Sequence, residues 1–362
     1  MPDDFCRRIC VIIPVYNAKN YLYEAVISGL NQEYKKIEII LIDDGSNDGS
    51  SQICDDLVCK FENIFVIHQN NSGVSVARNT GMNYIFDKYC DKLKGIYVTF
   101  LDADDAWINN FFTEGYILKF PEVDLICFQS LLCNNKISRC HKANRMEEGV
   151  YNGGKKTVQL CQCHFGACLY EAYFLKKYNL QFVEKLSYAE DTQFFRKCIC
   201  TAKEIALYNK PFYLYRNNPV SAVHNRKFGI DYFEPIFAAY LVNDSDGLGF
   251  VSWYLADMIQ EHFQHFGTIT ELKQWLISHD DYVSLARMHG GERGNSVLGA
   301  LEKAPKRYAL KNYIEGAFHE CLKRIICLSG ISKLVEQIRY SIPLEQKIYF
   351  YDVHKVERND DT

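Results

Sequence analysis

The first hundred residues of the chain alternate short apolar runs with segments of helical spacing. Runs rich in aliphatic and β-branched residues are typical of strands that are covered on both faces. Four such runs occur, at Ile9–Pro14, Ile37–Ile42, Ile64–His68 and Ile96–Leu101. Apolar residues at helical spacing mark three segments between them, Asn20–Gln32, Ser50–Phe61 and Val74–Phe86. This alternation predicts an α/β fold with a mostly parallel sheet and right-handed crossovers.

A polar cluster follows each of the four predicted strands. The clusters are Tyr16-Asn17, Asp43-Asp44, Asn70–Gly73 and Asp102–Asp105. A single acidic turn after a strand is commonly a helix cap or a solvated loop. In a parallel sheet, however, the carboxyl ends of the strands meet at one edge, where ligands bind. Four polar loops at that edge therefore predict a binding site.

The most acidic of these clusters contains Asp102, Asp104 and Asp105. Three carboxylates within four residues repel one another unless a cation neutralises them, and oxygen-rich clusters suit Mg²⁺ or Mn²⁺. A divalent ion in this place would in turn hold phosphate groups. The sequence has neither a GxxxxGK[ST] loop nor a GxGxxG motif, which argues against a P-loop NTPase and a dinucleotide-dependent dehydrogenase.

Composition limits the remaining classes of protein. The 362 residues include 41 Lys and Arg against 45 Asp and Glu, a net charge of −4 that gives no general attraction to nucleic acid. No apolar run reaches the roughly 20 residues of a spanning helix, and the start, MPDDFCRR, lacks the apolar stretch of a signal peptide. The 15 cysteines are scattered and several lie in apolar runs, so we expect reduced, buried thiols and a cytoplasmic protein.

Four segments together resemble the family 2 glycosyltransferases. They are Val11–Asn17, Asp43–Ser46, Asn71–Gly81 and Leu101–Asp105, and their order and spacing match that family over residues 1–110. The resemblance implies a GT-A fold, which is Rossmann-like. It also implies a nucleotide-diphosphate-sugar donor, a divalent metal ion and inversion at the anomeric carbon.

The same resemblance implies roles for individual residues. Those expected near the nucleotide are Pro14, Tyr16, Asn17, Asp43, Asp44, Gly73, Arg78, Asp102 and Ala103. Among them, Asp43 or Asp44 would accept the N–H of the base, and Asp102 would approach the ribose. Asp104 would hold the metal ion, with Asp105 beside it. For Arg78 the alternative is an ion pair on the surface of a helix.

The second half of the catalytic domain is expected to supply the general base. Leu169–Phe182 resembles the acceptor-side segment of the family, and Glu190-Asp191 follows where the family has a carboxylate at the start of a helix. We predict a helix over Thr192–Cys200. We favour Asp191 over Glu190 as the group that takes the proton from an acceptor hydroxyl. The alternative is that both carboxylates only cap the helix.

The last matching element is Tyr213–Arg216, followed by Ser221 and His224. By resemblance, Arg216 could neutralise phosphate charge, and His224 could be a metal ligand or a donor to phosphate. The alternative for His224 is an ordinary surface or core histidine.

Two further groups of residues invite a functional interpretation. Cys161, Cys163, His164 and Cys168 are zinc-capable residue types, but the sequence has no partner CxxC pair, so buried thiols are the preferred interpretation. His164 could instead face the acceptor sugar. Trp107, just after the acidic cluster, is a candidate platform for stacking the acceptor.

These observations divide the chain at residue 227. Residues 1–227 form the predicted catalytic domain, with a nucleotide-sugar half (1–110) and an acceptor half (111–227), and residues 228–362 form a mainly helical region. Within that region, 322–339 is apolar with a basic rim. A solvated bundle helix is the default interpretation. The alternative is peripheral contact with an anionic membrane, which would suit a lipid-linked saccharide acceptor.

The sequence thus predicts an inverting, Mn²⁺- or Mg²⁺-dependent glycosyltransferase. It would move a hexose or N-acetylhexosamine from a UDP-sugar to a growing surface glycan of capsule, O-antigen or lipooligosaccharide type. The competing class is a catalytically inactive scaffold of the same fold that binds sugar nucleotide or carbohydrate. A nucleotidyltransferase is disfavoured, because it would normally have a glycine-rich basic loop where this chain has Pro14–Asn17.

Overall fold

The computed structural model describes most of residues 7–216 and three later residues. The described residues are 7–133, 138–140, 146–154, 157, 161, 163–184, 186, 190–216, 277–278 and 299. The chain divides into two compact units, and every helix and strand named below lies in one of them.

Ten strands of the described residues form a single sheet. They are β1 (Arg8–Val15), β2 (Ile37–Asp43), β3 (Ile64–His68), β4 (Ile96–Phe100), β5 (Ala106–Trp107), β6 (Leu125–Cys133), β7 (Ser138–Cys140), β8 (Gly149–Asn152), β9 (Cys168–Glu171) and β10 (Glu204–Arg216). The order is β3-β2-β1-β4-β9-β6-β10-β5, with β7 on β6 and β8 on β10. The first four strands are parallel, as are β6 and β10, while β9 is antiparallel to both of its neighbours. The predicted mostly parallel sheet is confirmed.

Helices of the described residues connect and cover these strands. They are α1 (Leu22–Leu30), α2 (Ser50–Lys60), α3 (Val74–Tyr89), α4 (Glu114–Ile117), α5 (Ala172–Lys177) and α6 (Glu190–Thr201). All strands and helices predicted for the first hundred residues are confirmed, and α3 continues three residues beyond its predicted end. The predicted helix after Asp191 is also confirmed, and it begins at Glu190, so both carboxylates lie in its first turn.

The strands are apolar throughout because the sheet is covered on both faces. Successive side chains of a strand point to opposite faces, so Ile12 and Ile42 lie in one core cluster while Val11 and Ile39 lie in the other. Helix α3 approaches β1 closely at Gly81, where a Cβ atom would lie 2.6 Å from the Ile12 side chain. The absence of a side chain at this position therefore sets the distance between helix and sheet.

Trp107 lies in the core, so its predicted role as an acceptor platform is wrong. Its side chain is 1 % exposed, and its ring packs edge-on against Phe112 and Phe212. The cause is the pairing of β5 with β10, which directs the indole toward an aromatic cluster under the sheet. A sugar can stack only on an aromatic face that solvent reaches.

Several predictions concern residues outside the described part of the chain. These are Ser221, His224, the boundary at residue 227 and the amphipathic segment 322–339. In the part that is described, no helix is both long enough and apolar enough to cross a membrane.

Candidate active site

The acidic loop, Asp102–Asp105, follows β4 and is held by the end of β10. The Asp105 N–H donates to the Asp102 carbonyl oxygen over 2.9 Å, which closes a turn. The Tyr213 hydroxyl donates to Asp105 Oδ2 over 2.6 Å and accepts from the Asp102 N–H. The Arg216 N–H donates to Asp105 Oδ1 over 2.8 Å. Both oxygens of Asp105 are therefore engaged with β10, so this carboxyl group fixes the conformation of the loop.

Negative charge is concentrated in this loop. Burial, followed by the charges of Asp104 and Asp102, raises the pKa of the Asp105 carboxyl well above its ordinary value. Asp102 and Asp104 are only partly buried, so their carboxylates are nearer to solvent than that of Asp105. Carboxylate oxygens are the ligands that Mg²⁺ and Mn²⁺ prefer. The donor set fits the expected divalent ion, with Asp104 and Asp102 as its accessible carboxylates. The side chain of Ala103 is buried, so this residue can offer only its backbone groups.

Arg78 links the acidic loop to the start of α6. Its side chain is 4 % exposed, and it donates to Asp102 Oδ1 over 2.8 Å and to Glu190 Oε1 over 3.0 Å. The guanidinium lies over the rings of Phe165 and Phe182. Burial alone would lower its pKa, but the two carboxylates outweigh burial and the pKa is raised. Arg78 thus forms ion pairs, as its alternative interpretation expects, but inside the protein rather than on its surface.

Glu190 and Asp191 have different surroundings in the first turn of α6. Burial and the charge of Asp191 raise the pKa of Glu190, which Arg78 only partly offsets. Asp191 Oδ1 accepts from the Thr192 N–H over 2.6 Å. The charges that raise the pKa of the Tyr215 hydroxyl, after burial, come from the acidic loop and from Asp191. The charges of both groups therefore act on the Tyr215 hydroxyl, so the candidate base and the candidate metal ligands lie in one region.

On the nucleotide side, Asp43 is buried at the end of β2. Its Oδ1 accepts from the Ser46 N–H, and its Oδ2 accepts from the Ser51 hydroxyl over 2.7 Å and lies 2.8 Å from His68 Nδ1. Burial alone would raise the pKa of Asp43, but these hydrogen bonds outweigh it and the pKa is lowered. The hydrogen bond to Asp43 in turn raises the pKa of His68, as does Asp55, which lies 3.1 Å from Nε2.

Asp44 organises the loop that leads into α3. Its Oδ1 accepts from Gln69 Nε2 and from the Ser72 N–H, and its Oδ2 accepts from the Gly73 N–H, over 2.7 to 2.8 Å. Gly73 has φ 91° and ψ 159°, a conformation that is essentially restricted to glycine. The glycine expected near the nucleotide is thus required by the shape of the loop.

The loops after β1 and β2 are joined by side chains. The Asn17 N–H donates to Ser46 Oγ, and Asn17 Oδ1 accepts from the Asn47 N–H. The preceding Tyr16 is 52 % exposed, so its ring is available to a ligand. Pro14 lies in β1 opposite Ile42, two residues beyond the last pair of β1 with β4. The predicted nucleoside-binding residues therefore gather at one edge of the sheet.

Arg216 reaches the same region from β10. Its Nε donates to the Asp104 carbonyl oxygen over 2.8 Å, and its guanidinium donates to Glu24 Oε2 over 2.7 Å and lies over the ring of Tyr21. Its predicted contact with phosphate stays a prediction. Glu24 in α1 and the Tyr213 hydroxyl were not predicted as part of the site. The Tyr-x-Tyr-Arg pattern at the end of a strand was the available signal for Tyr213, whereas Glu24 has none, since an acidic residue in a helix is usually solvated.

The sequence offers His164 as a residue that could face the acceptor sugar. It is buried, and its ring packs against Tyr213 and Tyr215, with centroid distances of 4.7 and 5.5 Å. It therefore supports the two tyrosines that border the acidic loop.

Comparison with known proteins agrees with this geometry. The model of the family described as "Glycosyl transferase family 2" matches residues 10–180. Glycosyltransferase GlyA of Streptococcus pneumoniae serotype 4 is 43 % identical over 115 residues, which is 32 % of this chain and 15 % of that protein. Minor teichoic acid biosynthesis protein GgaA of Bacillus subtilis is 31 % identical over 216 residues, 57 % of this chain and 46 % of that protein. The chain thus spans less than half the length of these two relatives.

Among solved structures, the chain resembles S. aureus TarS 1-349 in complex with UDP-GlcNAc. The TM-score is 0.62 with 18 % sequence identity, and the match covers 86 % of this chain and 92 % of that one. This similarity, together with the sheet described above, confirms the expected GT-A fold. The segment 10–180, a little under half of the chain, is thus similar to glycosyl transferase family 2.

Proposed function

We propose that this protein is an inverting glycosyltransferase that moves a hexose or N-acetylhexosamine from a UDP-sugar to a hydroxyl of a growing surface glycan. The observation that carries the proposal is the Arg78 bridge. It joins Asp102 of the acidic loop to Glu190, the neighbour of Asp191. The bridge keeps the expected metal ligands and the expected base close together. Its two hydrogen bonds go to Asp102 and Glu190, and neither of them goes to Asp104 or Asp191.

The donor would bind along the edge formed by the loops after β1, β2 and β3. An acceptor carboxylate for the N–H of uracil is available in Asp43 or Asp44, and the exposed ring of Tyr16 can stack on the base. Gly73 would allow the diphosphate to approach the backbone closely. We choose UDP-GlcNAc as the first donor to test, because TarS, with a similar fold, has a solved complex with it.

Asp191 would act as the general base. It takes the proton from the acceptor hydroxyl while that oxygen attacks C1 of the sugar, and UDP leaves from the opposite face, so the configuration inverts. Glu190 is less suited to this step, since its side chain is only 15 % exposed and is already paired with Arg78. Its role would be to hold Arg78 and the start of α6 in place.

Asp104, with Asp102 beside it, would hold Mn²⁺ or Mg²⁺, which when bound neutralises charge on the departing diphosphate. Tyr213 and Asp105 keep the acidic loop in the conformation that presents Asp104. Arg216 would add positive charge near the same phosphates, from a position fixed by Glu24.

The acceptor in this proposal is a saccharide, free or carried on a lipid. The similarity to a minor teichoic acid biosynthesis protein supports a polymer of the cell envelope. The proposal includes a cytoplasmic location, at the inner face of the plasma membrane when the acceptor is lipid-linked. Peripheral membrane contact would come from the region after residue 228.

The role of Asp191 is tested by Asp191→Asn, compared with Glu114→Gln as a control acid in α4. We expect transfer to fall about 10²- to 10⁴-fold, the usual contribution of a general base. Donor binding, measured as the rise in melting temperature with UDP-GlcNAc and Mn²⁺, should be nearly unchanged. An equal loss of transfer and donor binding would remove Asp191 from the role of base.

The role of Asp104 is tested by Asp104→Asn in a thermal-shift screen of UDP-sugars with and without Mn²⁺. We expect the Mn²⁺-dependent part of the shift to disappear. Unchanged dependence on Mn²⁺ would contradict the metal assignment. If the wild-type protein binds a UDP-sugar but transfers none of them to any acceptor or to water, the inactive scaffold is favoured instead.

A further inference from the structure

Four cysteine thiols meet between β6 and β9, away from the acidic loop. Cys127 of β6 and Cys168 of β9 are paired across the two strands. Cys161 and Cys163 come from the segment that precedes β9. The sulfur atoms of Cys127, Cys161 and Cys163 all lie within 4.8 Å of one another, and those of Cys161 and Cys163 are 3.6 Å apart. The Cys168 thiol neighbours Cys127 and Cys163 but lies outside this group of three, and it donates to the His164 carbonyl oxygen over 3.5 Å.

This spacing is close to that of a zinc–thiolate centre. With Zn–S bonds of about 2.3 Å, the sulfur atoms of a tetrahedral site lie about 3.8 Å apart. The Cys161–Cys163 separation of 3.6 Å is already near that value, and the 4.8 Å limit on the pairs of Cys127 requires only small side-chain movements. The Cys168 thiol would have to leave the His164 carbonyl oxygen to complete the set. Strand β6 and the stretch from Cys161 to Cys168 thus converge on one point, as in a closed structural metal site.

The surroundings also suit a closed site. All four residues are buried in one apolar cluster. Not every buried thiol of the described residues lies in such a cluster of thiols. Those of Cys10 and Cys54 have the acidic residues Glu38 and Asp43 as neighbours.

We propose that Cys127, Cys161, Cys163 and Cys168 bind one Zn²⁺ ion as a structural site. Binding forms four Zn–S bonds, breaks four S–H bonds and releases four protons to solvent, with no change of oxidation state. Thiolate sulfur is a soft ligand that selects zinc, whereas the oxygen ligands of the acidic loop suit Mg²⁺ or Mn²⁺. The two sites are therefore chemically distinct.

The consequence of this site is mechanical. It fixes Cys161 and Cys163 to β6 and β9, and His164 follows directly after Cys163. The His164 ring packs on Tyr213, whose hydroxyl holds the acidic loop. Bound zinc would thus hold His164 against Tyr213, and Tyr213 in turn holds the acidic loop. The sequence alone argued against zinc because a second closely spaced pair is missing, but the sheet supplies Cys127 and Cys168 as the other two ligands.

The test is the metal content of the wild-type protein, purified in a reducing phosphine without added thiols or chelators. We expect one equivalent of zinc by mass spectrometry. Anaerobic exchange with Co²⁺ should give the intense sulfur-to-cobalt charge-transfer bands and the visible bands of a tetrahedral thiolate site. Protein that contains no zinc and shows no such bands with Co²⁺ would overturn the proposal, whether or not any variant folds.

Variants locate the site. Cys161→Ser and Cys127→Ser should lose the zinc or shift the cobalt bands, and Cys54→Ser, a buried cysteine outside the group, should retain both. Asp104→Asn should also retain the zinc, because its carboxylate belongs to the other site. Zinc that is lost from Asp104→Asn but kept in Cys161→Ser would overturn the cysteine site and leave the glycosyltransferase proposal intact.

Discussion

Two carboxylate-bearing loops at the same edge of the sheet are organised in opposite ways. Asp43 and Asp44, after β2, are bound by backbone N–H groups and by Ser, Gln and His side chains that lie 3 to 29 residues away in sequence. The acidic loop is bound instead by Tyr213 and Arg216, which lie 108 and 111 residues from Asp105. It is also bound by the buried cation of Arg78, which reaches 112 residues onward to Glu190.

The difference lies in where along the chain the partners are found. The loop at the end of β2 takes its partners from the first hundred residues. The acidic loop is held by β10 and by Arg78, which connects it to α6. The two loops also differ in how much the free energy of unfolding falls when one partner is removed. Hydrogen bonds from neutral donors to a carboxylate contribute about 1.5–3 kcal/mol each, whereas breaking a buried ion pair leaves an uncompensated charge.

The largest effect should come from Arg78→Met, which removes the buried cation. Asp102 and Glu190 then lose the positive charge that pairs with both of them, and we expect a loss of about 3–5 kcal/mol in the free energy of unfolding. Urea unfolding at neutral pH measures it. The matched control is Arg8→Met, because Arg8 is 32 % exposed and its partner Glu38 keeps Lys88 and the Tyr89 hydroxyl, so the loss should be about 0–1 kcal/mol.

A loss below about 1 kcal/mol for Arg78→Met would contradict the contrast between the two loops. It would mean that the acidic loop tolerates its charges without compensation. Transfer activity should fall in this variant as well, because the acidic loop and α6 lose their connection. Since Arg78 positions other groups rather than reacting, the conservative Arg78→Lys should restore part of both losses.

The placement of the loops after β1, β2 and β3 was largely predictable from the sequence. Buried parallel strands leave a strong local signal in runs such as Ile37–Ile42, and polar residues after such strands must lie at one edge of the sheet. Asp44 lies 28 and 29 residues from Ser72 and Gly73, and both ends of these contacts fall in segments that carry the family resemblance. The structure places the predicted residues of these loops together for the same reason.

The β10 side was less predictable because its register is irregular. The pairing of β10 with β6 shifts between Leu207 and Pro211 and again between Pro211 and Tyr213. A shift of one residue moves each following side chain to the other face of the sheet. No sequence pattern shows where these shifts fall, so neither the contact of Tyr213 with Asp105 nor the burial of Trp107 opposite it could be predicted.

A smaller effect is expected from Tyr213→Phe, which keeps the ring and removes the hydroxyl. Asp105 loses a donor in a buried place, and the Asp102 N–H loses its acceptor, so we expect a loss of about 1.5–3 kcal/mol in stability. Mn²⁺-dependent binding of UDP should weaken together with stability, because the loop that carries Asp104 loosens. Tyr208→Phe, in the same strand outside the acidic loop, is the control. Unchanged binding and stability would show that Arg216 and Arg78 hold the loop without the Tyr213 hydroxyl.

The smallest effect belongs to the nucleotide side, in His68→Ala. The folded pKa of His68 is raised, so its contribution to stability is complete below its unfolded value of about 6.5 and disappears as pH rises through the folded pKa. The folded pKa of Asp43 is lowered, so its contribution is present above about pH 4 and is lost only in stronger acid. The stability difference between wild type and His68→Ala should therefore be largest near pH 5.5 and vanish near pH 8.5, both approximate. Because His68 is partly exposed, this stability difference should stay below about 1 kcal/mol.

Urea unfolding across this range measures the difference. A difference that grows toward alkaline pH would show that His68 acts as a neutral hydrogen-bond donor to Asp43, and the nucleotide loop would then contain no charged partner of the kind that organises the acidic loop.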